Sequence, residues 1–235
     1  MPRFASLRDP PVGGVRNGQL LICRPYTVRM SDETNPAALV EHRTSWMPRA
    51  ERMLSTLRPA LDALPGIESA SLDHIGSTAV PGLPAKPLLD LQLRISPLPD
   101  DADLCRLLEP LGYVRARGSR PDSPGVDRDI PRGTLTAGTA LPTTPDVWQK
   151  SLFWHEGEQA ILHVRRADSP WGFYTVWFRD WLRAVPDARD RYAAEKRRLS
   201  AEQVGKPDYD DYTRAKTSFF DRVQSEFESW AAARG

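Results

Sequence analysis

The sequence predicts an α+β protein: a mixed β-sheet with flanking helices, followed by a helical C-terminal third. Three observations carry this. The segment from Pro87 to Ile95 is almost continuously apolar, as a strand covered on both faces must be. Strand-like segments on either side of it are separated by helix-periodic stretches and turn residues. After Ser169 the pattern turns helical and stays so to the end of the chain.

Residues 1–18, rich in Pro, Gly and Arg, are expected to form a flexible N-terminal tail. Residues 19–235 are read as a single domain, with the sheet core over about 19–166 and the helical part over about 167–235. Leu20 to Val28 reads as a short strand broken by Pro25. Asn35-Pro36 has the form of a helix cap and first-turn pair. Trp46, Met47, Ala50, Met53, Leu54, Leu57, Leu61 and Leu64 recur at three- and four-residue spacing and define one buried stripe. Pro48 sets the start of that helix near Ser45, and Pro65-Gly66 stops it. Ile67 to Ile75 reads as a strand ending at the Gly76-Ser77 turn. In the next strand, period two places Asp90, Gln92 and Arg94 on one face and Leu89, Leu91 and Leu93 on the other.

Pro99 to Gly112 reads as a helix closed by Gly112, and Tyr113 to Arg117 as a strand. Residues 118–146, crowded with Gly, Pro, Ser, Thr and Asp, are too long for an ordinary connection and are read as a lid or insertion. Val147 to His155 and Gln159 to Arg166 form a hairpin pattern around Gly157. Ser169-Pro170 caps a helix to Val185, Pro186 starts another to about Val204, and Asp208 caps a last one through Trp230.

With 235 residues, 40% hydrophobic and 27% charged, the chain can bury an ordinary core. A net charge of +1 disfavours a membrane or nucleic-acid binder that works by overall charge. Two cysteines, Cys23 and Cys105, make neither a disulfide framework nor a zinc knuckle. The N-terminal stretch is not apolar enough for a signal peptide, and no run of about 18 apolar residues occurs. A cytoplasmic protein without a membrane span is expected.

The candidate chemistry lies in His74 to Ile95, HIGSTAVPGLPAKPLLDLQLRI. Nucleotidyl transfer needs donors for a triphosphate, carboxylates for divalent metal, and a base or cation near the reacting oxygen. Gly76-Ser77 can offer backbone and hydroxyl donors, Lys86 a point charge, and Asp90 a metal ligand. A lone acid inside an apolar central strand needs a partner or a ligand. Gln92 stands where a D-x-D or D-x-E pair would carry its second acid, so a two-metal arrangement is incomplete. His74 and His163, on strands expected to neighbour Asp90, complete the candidate catalytic set, and Arg165 shares a face with His163.

HIGSTAVPGLPAKPLLDLQ closely resembles the signature of the GrpB family. The match continues with LGY at Leu111 to Tyr113, LHVR at Leu162 to Arg165, FRDWLRAVPDARDRYAAEKRRL from Phe178 and DYTRAKTSFF from Asp211, covering about residues 38–233. The chain looks most like the GrpB domain fused to dephospho-CoA kinases in some actinobacteria. It has no G-x-x-x-x-G-K-[ST] loop, so the kinase half is expected to be absent. The resemblance implies a nucleotidyltransferase-like mixed sheet. It points to Gly76, Ser77, Lys86 and Asp90 as nucleotide-side residues, and places His163, Arg165, Arg179, Asp180 and Lys216 in the other family motifs. The expectation is therefore a protein that binds ATP or another NTP, with Mg2+ on Asp90. It would transfer a nucleotidyl group to, or activate, a small-molecule acceptor. Arg165, Arg179 and Lys216 join Lys86 against the phosphates, and His163 or His74 acts as acid/base. The alternative is a non-catalytic or chaperone-like module that binds a protein partner.

Overall fold

The apolar strand predicted at the centre lies instead one in from the edge of the sheet, covered on both faces. In the computed structural model, which describes residues 15–16, 19–20, 26–27, 38–117, 125–130, 144–204 and 210–234, this strand is β5 (Leu89–Ile95). It runs between β4 (Ser71–Ile75), antiparallel, and β8 (Ala160–Arg166), parallel. β7 (Lys150–His155) lies antiparallel beyond β8, and β6 (Val114–Arg117) antiparallel beyond β7. These five strands form a mixed sheet, which the two-residue β3 (Tyr26–Thr27) extends beside β6. β1 (Val15–Arg16), in the expected tail, pairs with β2 (Gln19–Leu20), just beyond it. The rest of residues 1–37, the Asn35-Pro36 cap, most of 118–146 and the Asp208 cap lie outside the described residues.

Side-chain alternation along β5 divides the molecule. Leu89, Leu91, Leu93 and Ile95 are at most 1% exposed and pack with α1 (Trp46–Ala60) and α2 (Asp101–Leu108). Trp46, Ala50, Leu57 and Leu61 bring the predicted stripe of α1 onto these leucines; truncating such a residue costs about 2–5 kcal/mol. α1 begins at Trp46 because Pro48 falls in its first turn, where no N–H is needed. Asp100 caps α2 by accepting the Asp103 N–H at 2.8 Å, and Gly112 (φ 86°) ends the short 3-10 turn that follows. Cys105 is buried in this layer and disulfide-bonded. The strand expected from Ile67 is shorter than its pattern: Ile67–Ser69 forms a 3-10 turn before β4.

The other face of the sheet carries Asp90, Gln92 and Arg94, and is covered by the helical third. α3 (Pro170–Ala184) is capped by Ser169, whose hydroxyl accepts the Gly172 N–H at 3.3 Å. α4 (Pro186–Glu202) and α5 (Asp210–Ala232) complete a second, aromatic core. In it Tyr174 stacks on Phe178, while Trp181, Tyr192, Phe219 and Phe227 join them edge-to-face or tilted, and Phe219, Val223, Phe227 and Ala231 form the buried stripe of α5. The predicted aromatic face of α3 is thus packing surface. Among the described residues, no helix is long and apolar enough to cross a membrane.

Candidate functional site

Asp90 is the centre of the polar face. Its register partners are Ile75 on β4 and Ile161 on β8, so nothing beside it on the sheet can neutralise it. The partner comes from two residues along β8: His163 Nε2 approaches Asp90 Oδ1 at 3.4 Å. The other ring nitrogen of His163 faces two cations, Lys150 Nζ at 3.4 Å and Arg165 Nη2 at 3.5 Å. Both are donors only, so Nδ1 accepts and the proton sits on Nε2, aimed at the carboxylate. Burial, then Arg165 and Lys150, hold the imidazole at about 4 despite the pull of Asp90. His163 is therefore a neutral donor.

Behind His163 lies a buried ion cluster. Asp129, 3% exposed, accepts from Arg165 at 2.7 and 3.1 Å and pairs with Lys150 at 3.0 Å. Burial pushes the Asp129 carboxyl up, but Arg165 and Lys150 outweigh it and hold the group at about 2. Burial lowers Lys150 to about 8 despite Asp129. Arg165 also donates to Gln92 Oε1 at 2.7 Å. Gln92 is wholly buried; its oxygen also accepts from Thr175 at 3.1 Å, and its amide donates to the Gly172 carbonyl at 3.0 Å. The residue at the second-acid position is thus a spacer between β8 and α3, which explains an amide there.

The open side of Asp90 faces other cations. Its carboxyl, pushed up by burial, is held below its ordinary value by His163, Lys216 and Lys86. Lys196 joins them: it is 2% exposed, donates to the Pro84 carbonyl, and is pushed well below its usual range by burial and by Lys216 and Lys86. Lys216 is lowered by burial, with Asp90 pulling the other way. Gly76 closes the wall. It has φ 72° and ψ −170°, and any Cβ there would run into Asp90 Oδ2. Ser77, half-buried, opens the 3-10 turn Ser77–Ala79 just beyond.

The structure thus brings together Asp90, His163, Gly76, Ser77, Lys86 and Lys216. It separates His74 from them. His74 is paired with Leu91, so it points to the leucine face; its Nε2 meets Thr78 Oγ1 at 3.0 Å. Thr78 gives its own proton to the Leu88 carbonyl at 3.3 Å, so His74 is the donor. Burial holds His74 at about 4. Arg179 bonds the His74 carbonyl at 2.9 Å and Asp180 at 2.8 Å, tying α3 to β4. Arg183, from the same helix, binds the Ala79 carbonyl twice, at 2.9 and 2.7 Å, and fixes the turn.

Asp129, Lys150 and Lys196 were not singled out in the sequence. Lys150 carried a signal: like Asp90, it is a lone charge in an apolar strand. Asp129 lies in the irregular 118–146 stretch and Lys196 in a charge-rich helix, where nothing marks them. Among the described residues, no group of three His, Cys, Asp or Glu could hold a metal ion. Asp90 alone beside three lysines suits Mg2+ only when the ion comes with phosphate oxygens as its other ligands.

The family profile described as "GrpB protein" matches residues 36–226. A dephospho-CoA kinase of Mycolicibacterium paratuberculosis is 31% identical over 207 residues, covering 85% of this chain and 48% of that protein. A dephospho-CoA kinase of Mycobacterium bovis is 33% identical over 209 residues, covering 84% and 47%. The chain thus spans about half the length of these relatives. The crystal structure of conserved protein GrpB from Enterococcus faecalis shares the fold, with a TM-score of 0.56 at 20% identity, over 82% of this chain and 98% of that one.

Proposed function

The chain belongs to the GrpB family, and from that premise we propose that the Asp90 cleft binds ATP or another NTP with its Mg2+, for nucleotidyl transfer to, or activation of, a small-molecule acceptor. One observation carries the reading: a part-exposed carboxylate on an interior strand, ringed by Lys86, Lys196 and Lys216 and walled by the Gly76-Ser77 turn. Buried lysines lose free energy by staying charged, and a polyanion returns it. Mg2+ would be held by Asp90 and the phosphates and would neutralise charge on the transferred group. The protein's own part is binding and orientation. Lys86 and Lys216 face the phosphates, Gly76 lets backbone approach them, and His163 holds Asp90 in place. Arg165, expected at the phosphates, acts through His163 and Gln92 instead; Arg179 acts through β4. The neutral, Nε2-protonated state of His163 suits a donor better than a base.

Calorimetry with ATP and Mg2+ on the wild type and Lys216→Gln tests the site, and pyrophosphate release in the presence of candidate acceptors tests the reaction. We expect saturable binding, weakened about tenfold by loss of one charge-assisted contact. An absence of binding by the wild type sinks the reading.

A second reading rests on Gln92. With its amide spent inside the protein, Gln92 cannot stand in for a second acid, and with no group of three metal-binding side chains among the described residues the cleft fits ligand binding without chemistry. In that case the protein is a binding module, with a protein partner in place of an acceptor. ATP binding without turnover for any acceptor, together with a stoichiometric protein partner, favours this version.

A further inference from the structure

A cavity of about 300 Å³ lies on the leucine side of the sheet, away from Asp90. Its floor is Met53, Leu57, Leu111 and the ring of Tyr113, all part of the core beneath α1 or packed on it. Its rim is polar. Arg49 and Arg52, one turn apart on α1, face Glu158 from the β7–β8 turn. Arg49 is already committed, to the Glu158 carbonyl at 2.5 Å and its carboxylate at 3.3 Å. Among the described residues, Arg52 has only a 3.3 Å bond to the Pro48 carbonyl in its own helix. The rim therefore has one cation in excess.

Thr56 spends its proton on the Arg52 carbonyl at 3.0 Å, which leaves two donors in the wall, His155 and Tyr113. His155 Nδ1 accepts the Glu158 N–H at 3.2 Å, which leaves the ring's hydrogen on Nε2. Tyr113 is 2% exposed, stands edge-on to His155 at 4.9 Å, and its hydroxyl has no hydrogen-bond partner among the described residues. Burial and the Glu158 carboxylate both keep that hydroxyl protonated, hence a donor. A buried hydroxyl left unpaired costs about 1–3 kcal/mol, so such groups are ordinarily satisfied. An apolar floor, a single surplus guanidinium and an unpaired buried O–H together describe the complement of one kind of molecule. The volume sits at the lower end for ligand sites, which limits the ligand to a small one.

We propose that this cavity is a second binding site, for a small monocarboxylate with a flat apolar body, held by Arg52 with its body over Met53 and Leu57 and an oxygen toward Tyr113. Monoanions are favoured over polyanions because Arg49 is neutralised by Glu158. The site is independent of the Asp90 cleft, which opens on the other face of the sheet.

The probe is benzoate, with benzyl alcohol as the neutral control, titrated into the full chain by ligand-observed NMR. Benzoate is expected to bind saturably with Kd on the order of 1 mM, the range for a fragment of that size, and about tenfold more tightly than benzyl alcohol. Arg52→Gln, on the exposed side of α1, should melt like the wild type and weaken benzoate about tenfold. Tyr113→Phe should weaken it severalfold. Asp90→Asn should leave it unchanged, whether or not ATP binds, so the two sites fail or stand separately. No benzoate binding, equal binding of the two probes, or binding indifferent to Arg52→Gln overturns the proposal.

Discussion

Replacing Asp129 by Ala should be among the costliest single changes outside the apolar cores. Asp129, Arg165 and Lys150 have side chains 2–3% exposed, and the aspartate accepts two bonds from the guanidinium and one from the ammonium. Removing it strands two buried cations, a change that typically costs about 3–5 kcal/mol. The structure divides that sum. Lys150, at about 8 with Asp129 present, can escape by releasing its proton. At pH 7 this takes little more than about 1.4 kcal/mol, which caps its share. Arg165 has no such exit and keeps Gln92, a long contact to His163 and the Ala-lined gap, so it carries the remainder, about 2–3 kcal/mol. Urea unfolding followed by the fluorescence of the seven tryptophans should show a loss near 3–4 kcal/mol with an unchanged slope. Asp129→Asn, which keeps an acceptor, should lose about half of that. Adding Lys150→Met to Asp129→Asn should recover about 1 kcal/mol, because one stranded charge is gone. A loss below about 1 kcal/mol for Asp129→Ala would refute the idea that this carboxylate organises the cations behind His163.

Other outcomes follow from the same geometry. Gly76→Ala, forced into a positive-φ backbone and against Asp90 Oδ2, should cost about 1–3 kcal/mol in thermal melts and abolish ATP binding by displacing the carboxylate; a variant that binds like wild type would contradict the wall assigned to Gly76. Gln92→Glu sets an oxygen against the Gly172 carbonyl and should destabilise by about 1–3 kcal/mol without raising ATP affinity, since that side chain points into α3; tighter binding would show it to be a dormant ligand position. His74 and His163 sit at about 4 in the folded chain against 6.5 unfolded, so the unfolded chain binds more protons between those values. Stability should therefore fall as pH drops from about 6.5 to about 4, by up to roughly 3 kcal/mol per histidine and less with part exposure, and a second loss should follow between 3.8 and about 2 as Asp129 protonates. Melting temperatures across that range check this, and a flat profile down to pH 4.5 would contradict the buried neutral histidines.

The fold was legible where periodicity and punctuation agree. The alternation Leu89/Asp90/Leu91/Gln92 stated both faces of β5, and Pro48, Gly112 and Ser169-Pro170 set helix ends because each imposes a local backbone rule. Ile67 misled because an apolar residue next to Gly66 also suits a 3-10 turn. At the site, parity along one strand put His163 and Arg165 on a common face, but only the register of β8 against β5, with Gln92 opposite His163, brings that face to Asp90. His74 could not be excluded that way. Its face depends on register against β5, which only the pairing of Ile75 with Asp90 settles. Arg165 and Arg179 read as free cations, yet both are spent on partners distant in sequence, Asp129 and the β4 backbone. Such partners leave no local pattern, and Asp129 itself comes from a stretch with no periodicity.

In the proposed site Asp90 would serve the phosphates through a metal ion, whereas the lysines would serve them directly. ATP titrated calorimetrically into the wild type and Asp90→Asn, each with and without Mg2+, tests it through a change of sign. With Mg2+ present, Asp90→Asn should bind at least tenfold more weakly than the wild type. Without Mg2+, it should bind as well or better, because a negative charge facing the phosphates has been removed. Equal affinities of the two proteins under both conditions, or no binding of ATP to the wild type, would contradict the account.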